Sequence, residues 1–313
     1  YSPLSLYFII DNKLILDQDQ INSFFNILIM FRNFWYSYKN ILYRAILKKK
    51  YFTFLRKIFG TLFKFLRKFY LINFSPDIEN LDKVEKNKFK NFNLDDLFIN
   101  FNCDKGSYCV YDYEKKITHK YSVFYEKYLK KNKKKKLSIL ELGSHEGKGI
   151  ASFYFFFPNA NFYGANINPF QMKYTSKRIT ELYVDVSCEE IVDNLANHIN
   201  EDLDLIIDDA SHNLKDILLA LPILFRKLKQ NGFYVIEDAD QFKVYKELNP
   251  TNEKMTPIQI LKNIKNNRKF SSKFLSKTDK DYLKKNIKNF YFEKGKSIVN
   301  GYNISDIVFL RKK

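Results

Sequence analysis

The sequence predicts an α/β fold, a doubly wound and mostly parallel sheet with helices on both faces, and three observations carry that prediction. The first is Leu137 to Ile150, LSILELGSHEGKGI. Leu137, Ile139, Leu140 and Leu142 form a short apolar run that follows a lysine cluster, carries Glu141 near its end and then breaks into glycines, as suits a strand buried on both faces. The second is recurrence. Phe162 to Asn168, Leu182 to Val186, Leu203 to Ile207 and Gly232 to Ile236 are further apolar runs, and each stops at polar residues: Asn166, Asp185, then Asp208, Asp209, Ser211 and His212, then Glu237 and Asp238. The third is that Asn213 to Leu228 supplies a helix long enough to cross over between the last two of these strands. Five strands ending in polar side chains describe a carboxyl edge, where ligands of such sheets sit.

The first turn has the features of a nucleotide corner. Gly143, Gly147 and Gly149 let the backbone bend sharply and approach a ligand, and a helix expected from Lys148 onward aims its N-terminal amides at the same spot. His145 stands where a dinucleotide fingerprint has its central glycine, so the glycine loop alone fits many nucleotide-binding folds. Asn166 lies a little over twenty residues past Gly143, where such folds place the group that holds ribose hydroxyls.

At 313 residues the chain can bury a full α/β core and keep about a hundred residues besides. We divide it into a basic, aromatic, mainly helical appendage and linker, residues 1–95, and the α/β domain, residues 96–313. Within the appendage, Leu4 to Ile10 and Lys13 to Leu16 predict a small hairpin. From Ile21 to Pro76 there is no Asp or Glu. Phe52, Leu55, Phe59, Leu62, Leu66 and Phe69 recur at helical spacing, with Thr53, Lys57, Gly60, Lys64 and Arg67 on the other side, which predicts a basic amphipathic helix. Two readings stay open for it: the apolar stripe packs on the main domain or a sister subunit, or the helix lies on an anionic bilayer. Asp77 to Asn100 reads as a polar connector, and the segment before the Lys131 to Lys136 run as a helix carrying Tyr125, Glu126 and Tyr128. Asn289 to Glu293 and Ile304 to Leu310 are expected as a final antiparallel pair of strands.

The net charge of +18 admits an anionic partner, and equally a compositional bias toward Lys, Asn, Ile, Phe and Tyr across the whole chain. The three cysteines, Cys103, Cys109 and Cys188, lack metal-site spacing and suit a reducing compartment. No secretory signal is visible, and the chain opens on Tyr1, so its true start is not expected at this residue. The expected location is cytoplasmic, with peripheral contact at the inner face of the membrane as the variant.

The acids at the fourth and fifth strand ends carry the chemistry. Adjacent parallel strands lie about 4.8 Å apart, so Asp208, Asp209, Glu237 and Asp238 would face one small volume, and crowded carboxylates need a cation or a proton among them. Oxygen ligands without cysteine favour Mg²⁺ or a similar hard ion. Alternation sends Asp208 and Asp209 to opposite sides, and Glu237 and Asp238 likewise if the strand runs through both. His212, three residues past Asp209, can reach a hydroxyl held there and take its proton. His119, His145 and His198 are read as structural, with His119 and His145 near enough to line the pocket.

DKG at Asp104, HKYSVFYEKYL from His119, LELGSHEGKG from Leu140, FFPNANFYGANI from Phe156, LIIDDASHN from Leu205 and GFYVIED from Gly232 together resemble the class I S-adenosylmethionine-dependent methyltransferases. Among these the chain is most similar to the metal-dependent sugar O-methyltransferases of the macrocin and mycinamicin type, over about Asn102 to Asp240. The resemblance implies a Rossmann-like seven-stranded sheet, S-adenosylmethionine and Mg²⁺ as cofactors, and a sugar or glycosylated metabolite as acceptor. It implies that Gly143, Ser144 and Gly147 hold the methionine part with support from Glu141, that Asn166 reaches the ribose and Asp185 the adenine, and that Lys105 and Gly106 close over the cofactor carboxylate. It further implies Asp209, Glu237 and Asp238 as metal ligands, Asp208 nearer the cofactor, and His212 as general base. The chain departs from the pattern at Asn166, where such folds usually carry an acid. A homo-oligomer remains open. The alternative function is an RNA-binding protein or RNA methyltransferase using the basic N-terminal segment, disfavoured by the acid-lined site.

Overall fold

The computed structural model describes residues 8–10, 13–15, 18–48, 51–74, 77–85, 87–111, 114–250, 253–299 and 301–313. Packing divides the chain into two units, residues 1–62 and 63–313. The boundary expected at 95/96 falls inside the second.

The first unit holds the predicted hairpin, Phe8–Ile10 paired antiparallel with Lys13–Ile15, and a long helix α1, Gln18–Leu47. The hairpin residues expected at 4–7 and 16 lie outside the described residues. In α1, Phe34, Ser37, Ile41 and Ala45 form one buried stripe at helical spacing. Helix α2, Tyr51–Phe74, runs across the boundary. Its apolar stripe does not pack inward: Phe59, Leu62, Leu66 and Phe69 are exposed, while Thr61, Phe65 and Lys68 are buried. The side chains of Phe52 and Leu55 lie outside the described residues. Packing of Leu66 and Phe69 on the main domain, one of the readings left open for that stripe, is therefore not seen. Lys68 explains the choice, because its ammonium bonds the Met172 carbonyl and lies 3.4 Å from the Glu181 carboxylate, giving the opposite face a charged anchor. Among the described residues, no helix is long and apolar enough to cross a membrane.

The second unit is built on the sheet. Its strands are β1 (Ser138–Leu142), β2 (Asn161–Asn166), β3 (Ile179–Tyr183), β4 (Leu203–Asp208), β5 (Leu228–Ile236), β6 (Ile287–Lys294) and β7 (Asp306–Lys312). They lie in the order β6-β7-β5-β4-β1-β2-β3. The first five are mutually parallel, and β7 is antiparallel to both of its neighbours, β5 and β6. Order reverses between β1 and β4, which is the switch point where a ligand crevice opens. β1 is buried along its whole length, Ser138 and Glu141 included, as a central strand covered on both faces must be.

The helices are α3 (Leu94–Asn100), α4 (Ser122–Leu129), α5 (Lys148–Phe156), α6 (Glu189–His198), α7 (Leu214–Arg226), α8 (Pro257–Lys265) and α9 (Lys277–Asn286). The connector expected at Asp77 to Asn100 is part of the body instead. Leu81, Phe89, Leu94, Leu97 and Phe98 enter the main apolar core. Leu94, Leu97 and Phe98 recur at three and four residues, and Asn93 and Asp96 close a reciprocal capping box. Aromatic rings fill this core: Tyr125 meets Phe153 and Phe309 edge-on at centroid distances of 5.1 and 5.5 Å. All three cysteines are buried and none is in a disulfide.

Candidate active site

The site forms where β1, β4 and β5 end side by side. Asp209 N–H bonds the Leu142 carbonyl at 3.1 Å and Glu237 N–H bonds the Asp208 carbonyl at 3.0 Å, so the three chain reversals share one rim. The glycine turn after β1 is wrapped tightly around this rim. Gly143 has φ +81°, and a Cβ there would run into the backbone of Asp209 and Ala210. Gly147, at φ +83°, is the N-cap of α5, which begins at Lys148 as expected. Glycine is required at both by conformation as well as by space.

Asp208 and Asp209 diverge as strand alternation demands. Asp208 turns into the core and accepts the Tyr234 hydroxyl at 3.1 Å, and burial raises its pKa to about 6. Asp209 turns into the site. Burial pushes its pKa up, but the Lys105 ammonium and then His212 outweigh burial and hold it below the usual carboxylate range. β5 ends at Ile236, and Asp238 adopts a left-handed backbone with φ 52°, so Glu237 and Asp238 both reach the same side. His212 is likewise left-handed at φ 52°. Non-glycine residues cost free energy in that region, about 1–2 kcal/mol, and two of them on one rim mark where the fold holds side chains against their local preference.

Asp209, His212 and Asp238 come together. His212 Nε2 lies 3.7 Å from Asp209 Oδ1 and 3.9 Å from Asp238 Oδ2, and one ligand atom from each of the three lies within 4.8 Å of the others. Glu237 stands beside them with both oxygens engaged: Oε1 accepts the Tyr125 hydroxyl and Oε2 accepts from Lys105 Nζ at 2.6 Å. Tyr121, one turn before Tyr125 on the same face of the segment leading into α4, donates to Asp238 Oδ1 at 2.5 Å. His119 Nδ1 lies 3.4 Å from that same oxygen and 2.8 Å from Ser305 Oγ.

Lys105 is at the centre. It is 2 % exposed, bonds Asp209 and Glu237, and lies 3.4 Å from Glu141 Oε1. Burial alone would lower its pKa, yet Asp209, Glu237 and Glu141 together hold it well above the ordinary lysine value. Burial likewise lifts Glu237 well above the carboxylate range against the pull of Lys105, and Glu141 rises to about 7 for the same leading reason. One ammonium thus serves three acids.

The remaining predicted residues sit around this centre. Gly106 packs on Phe98 and follows Lys105 in the DKG segment. Glu141 Oε2 and Ser144 Oγ are buried at the glycine turn without a hydrogen-bond partner, a polar lining that a polar ligand would satisfy. Asn166 ends β2, its carbonyl accepting the Val184 amide at 3.0 Å and its side-chain amide donating to Gln171 Oε1 at 3.5 Å. Asp185 lies farther along the edge, where its Oδ1 accepts from the Ser187 amide at 3.1 Å and the Ser187 hydroxyl at 2.5 Å, a local turn. His145 is exposed in the glycine turn, and His198 closes α6. Tyr121 and Tyr125 were not expected as site residues, and Lys105 was expected at a cofactor carboxylate. The available signal was the spacing of two tyrosines four residues apart on one helical face.

No family model matches the chain, and no curated protein matches its sequence. Solved structures do. The MycE methyltransferase from the mycinamycin biosynthetic pathway, solved in complex with Mg, S-adenosylhomocysteine and mycinamycin VI, is similar at 19% identity with a TM-score of 0.53, over 71% of this chain and 54% of that one. A second form of MycE with Mg and S-adenosylhomocysteine gives 18% identity and a TM-score of 0.51, over 71% and 55%. The fold is that of the class I methyltransferases. The chain spans about half the length of these neighbours.

Proposed function

We propose that the chain is an S-adenosylmethionine-dependent O-methyltransferase that methylates a hydroxyl of a sugar or glycosylated small molecule with the help of a divalent cation. The observation that supports it best is the convergence of Asp209, His212 and Asp238 beside a glycine turn whose Glu141 and Ser144 carry orphan buried oxygens. The donor set fits a hard cation, because carboxylate oxygens of Asp209 and Asp238 meet where acids outnumber ammonium groups, with the His212 imidazole beside them for proton transfer. Asp209 and Asp238 would hold the ion, with Glu237 alongside, and the ion when bound lowers the pKa of an acceptor hydroxyl. The glycine turn fits the methionine part of the cofactor, with Ser144, Glu141, Gly143 and Gly147 lining it and Lys105 and Gly106 flanking it. Asn166 is aligned for the ribose, Asp208 supports the rim through Tyr234, and Asp185 shapes the far edge.

The chain's own residues then divide the work. His212 would take the hydroxyl proton at a ring nitrogen, and S-adenosylmethionine, when bound, would supply the sulfonium methyl for that oxygen. Lys105, Tyr121 and Tyr125 hold Glu237, Asp209 and Asp238 in fixed orientations, so little reorganisation accompanies the reaction. The MycE structure solved with Mg, S-adenosylhomocysteine and mycinamycin VI supports this reading.

The test is mass spectrometry of glycans and small metabolites from cells carrying wild type or His212→Ala, together with calorimetry of S-adenosylhomocysteine binding. Loss of one methylated species at unchanged cofactor affinity is expected, with a fall in turnover of roughly 10²–10⁴-fold. Turnover that persists in excess chelator would remove the cation from the proposal.

A further inference from the structure

The part of α2 that belongs to the second unit, Phe63 to Phe74, has two faces of opposite character. Its inner face is fixed. Phe65 meets the Phe170 ring edge-on at 5.8 Å, and Lys68 is buried, bonding the Met172 carbonyl beside the Glu181 carboxylate, which itself accepts the Met172 amide at 3.0 Å. The Lys68 pKa is lowered by burial against the pull of Glu181, the mark of an ammonium that has left water. The outer face carries Phe63, Leu66, Phe69 and Tyr70, between 47 and 68 % exposed, with Lys64 and Arg67 exposed among them.

Four large apolar or aromatic side chains in eight residues, Phe63, Leu66, Phe69 and Tyr70, form an apolar strip that a water-facing helix does not need. Three features decide what covers it. The helix cannot span a bilayer, since no helix among the described residues is long and apolar enough. Leu66 offers nothing for a nucleic-acid base to stack on, whereas all four side chains can enter an acyl boundary. A second copy of the same face would set Lys64 and Arg67 against Lys64 and Arg67, with no acid between Ile21 and Pro76 to balance them. Anionic headgroups complement that charge, and bases flanking an apolar strip can reach phosphates while the strip sinks below them.

We propose that the outer face of α2 between Phe63 and Tyr70 docks the protein on an anionic bilayer, with the helix lying in the headgroup layer and its inner face locked to the body through Phe65 and Lys68. This stands independently of the methyl-transfer reading.

The experiment is sedimentation of the full chain with extruded vesicles of phosphatidylcholine alone or with about one third phosphatidylserine. Each base near an anionic surface contributes roughly a factor of five, so at least tenfold stronger partition onto the anionic vesicles is expected, weakening as salt rises. Lys64→Glu/Arg67→Glu should abolish the anionic preference, and Phe63→Ser/Leu66→Ser should abolish partition onto both. All these positions are exposed, so circular dichroism and melting of the variants should match wild type and show that the loss belongs to the surface. Wild type left in the supernatant with anionic vesicles would overturn the proposal. So would variants that partition like wild type, a dimer split by Phe63→Ser/Leu66→Ser with no vesicle binding, or RNA binding lost in the same variants while vesicles are ignored.

Discussion

Lys105 stands between Asp209, Glu237 and Glu141, and its removal leaves two buried carboxylates and one half-buried one without their ammonium. Breaking a buried ion pair by deleting one partner costs about 3–5 kcal/mol, so Lys105→Met should lower the denaturant midpoint accordingly. Added Mg²⁺ should then stabilise the variant more than wild type, because the acids no longer have an internal cation. Equal gains in the two proteins would show that the ion binds elsewhere. Glu141 gives a pH signature. Its pKa rises from 4.5 to about 7, chiefly by burial with Lys105 opposing, so the native state binds its proton more tightly than the unfolded chain. Its contribution to stability is therefore full below about 4.5 and is lost as pH climbs through about 7, on the order of 3 kcal/mol in all. Glu141→Gln keeps the shape and removes the titration. Its melting temperature should fall less than that of wild type between pH 5 and pH 8, and an unchanged slope would place the dependence on another group.

At the scale of elements, the glycine turn and α2 make opposite demands on glycine. Gly143→Ala must hold an L residue at φ +81° and also displace the backbone of Asp209, so a loss of more than about 2 kcal/mol is expected, with cofactor affinity lost alongside. Gly60, inside α2, has nothing within 4 Å of a would-be Cβ, and Gly60→Ala should gain up to about 1 kcal/mol. Thermal melts of the two proteins test both. The same contrast explains what the sequence disclosed. Strand ends were legible because Leu142 closes its apolar run directly before Gly143, and Ile207 and Ile236 close theirs directly before acids. The adjacency of Asp209, His212 and Asp238 followed from those ends. Tyr121 and Tyr125 were not legible as site residues, since their partners Asp238 and Glu237 lie more than a hundred residues away and nothing local distinguishes a hydroxyl aimed at a carboxylate from one packed in a core. Which face of α2 turns inward was not legible because both faces carry rings, and the deciding group was a lysine paired to Glu181, which periodicity counts as solvent-facing.

For the molecule as a whole, the chain carries +18, yet its buried charge at the rim of the sheet is acidic, so cofactor and cation are the ligands whose binding should be felt globally. The glycine turn is tied to β2 by the Gly143 amide on the Ala165 carbonyl and to β4 by the Asp209 amide on Leu142, so a ligand seated there braces the centre of the sheet. A ligand that binds only the native state at a hundred times its Kd adds about 2.7 kcal/mol, roughly 5–10 °C for a unit of this size. S-adenosylhomocysteine should give such a shift in wild type and equally in Asp209→Asn, whereas the further shift from Mg²⁺ should vanish in Asp209→Asn alone. Melting in the presence of each ligand, singly and together, separates the two sites: no shift with S-adenosylhomocysteine would remove the cofactor assignment, and a Mg²⁺ shift that survives Asp209→Asn would move the cation away from the carboxylates at the ends of β4 and β5.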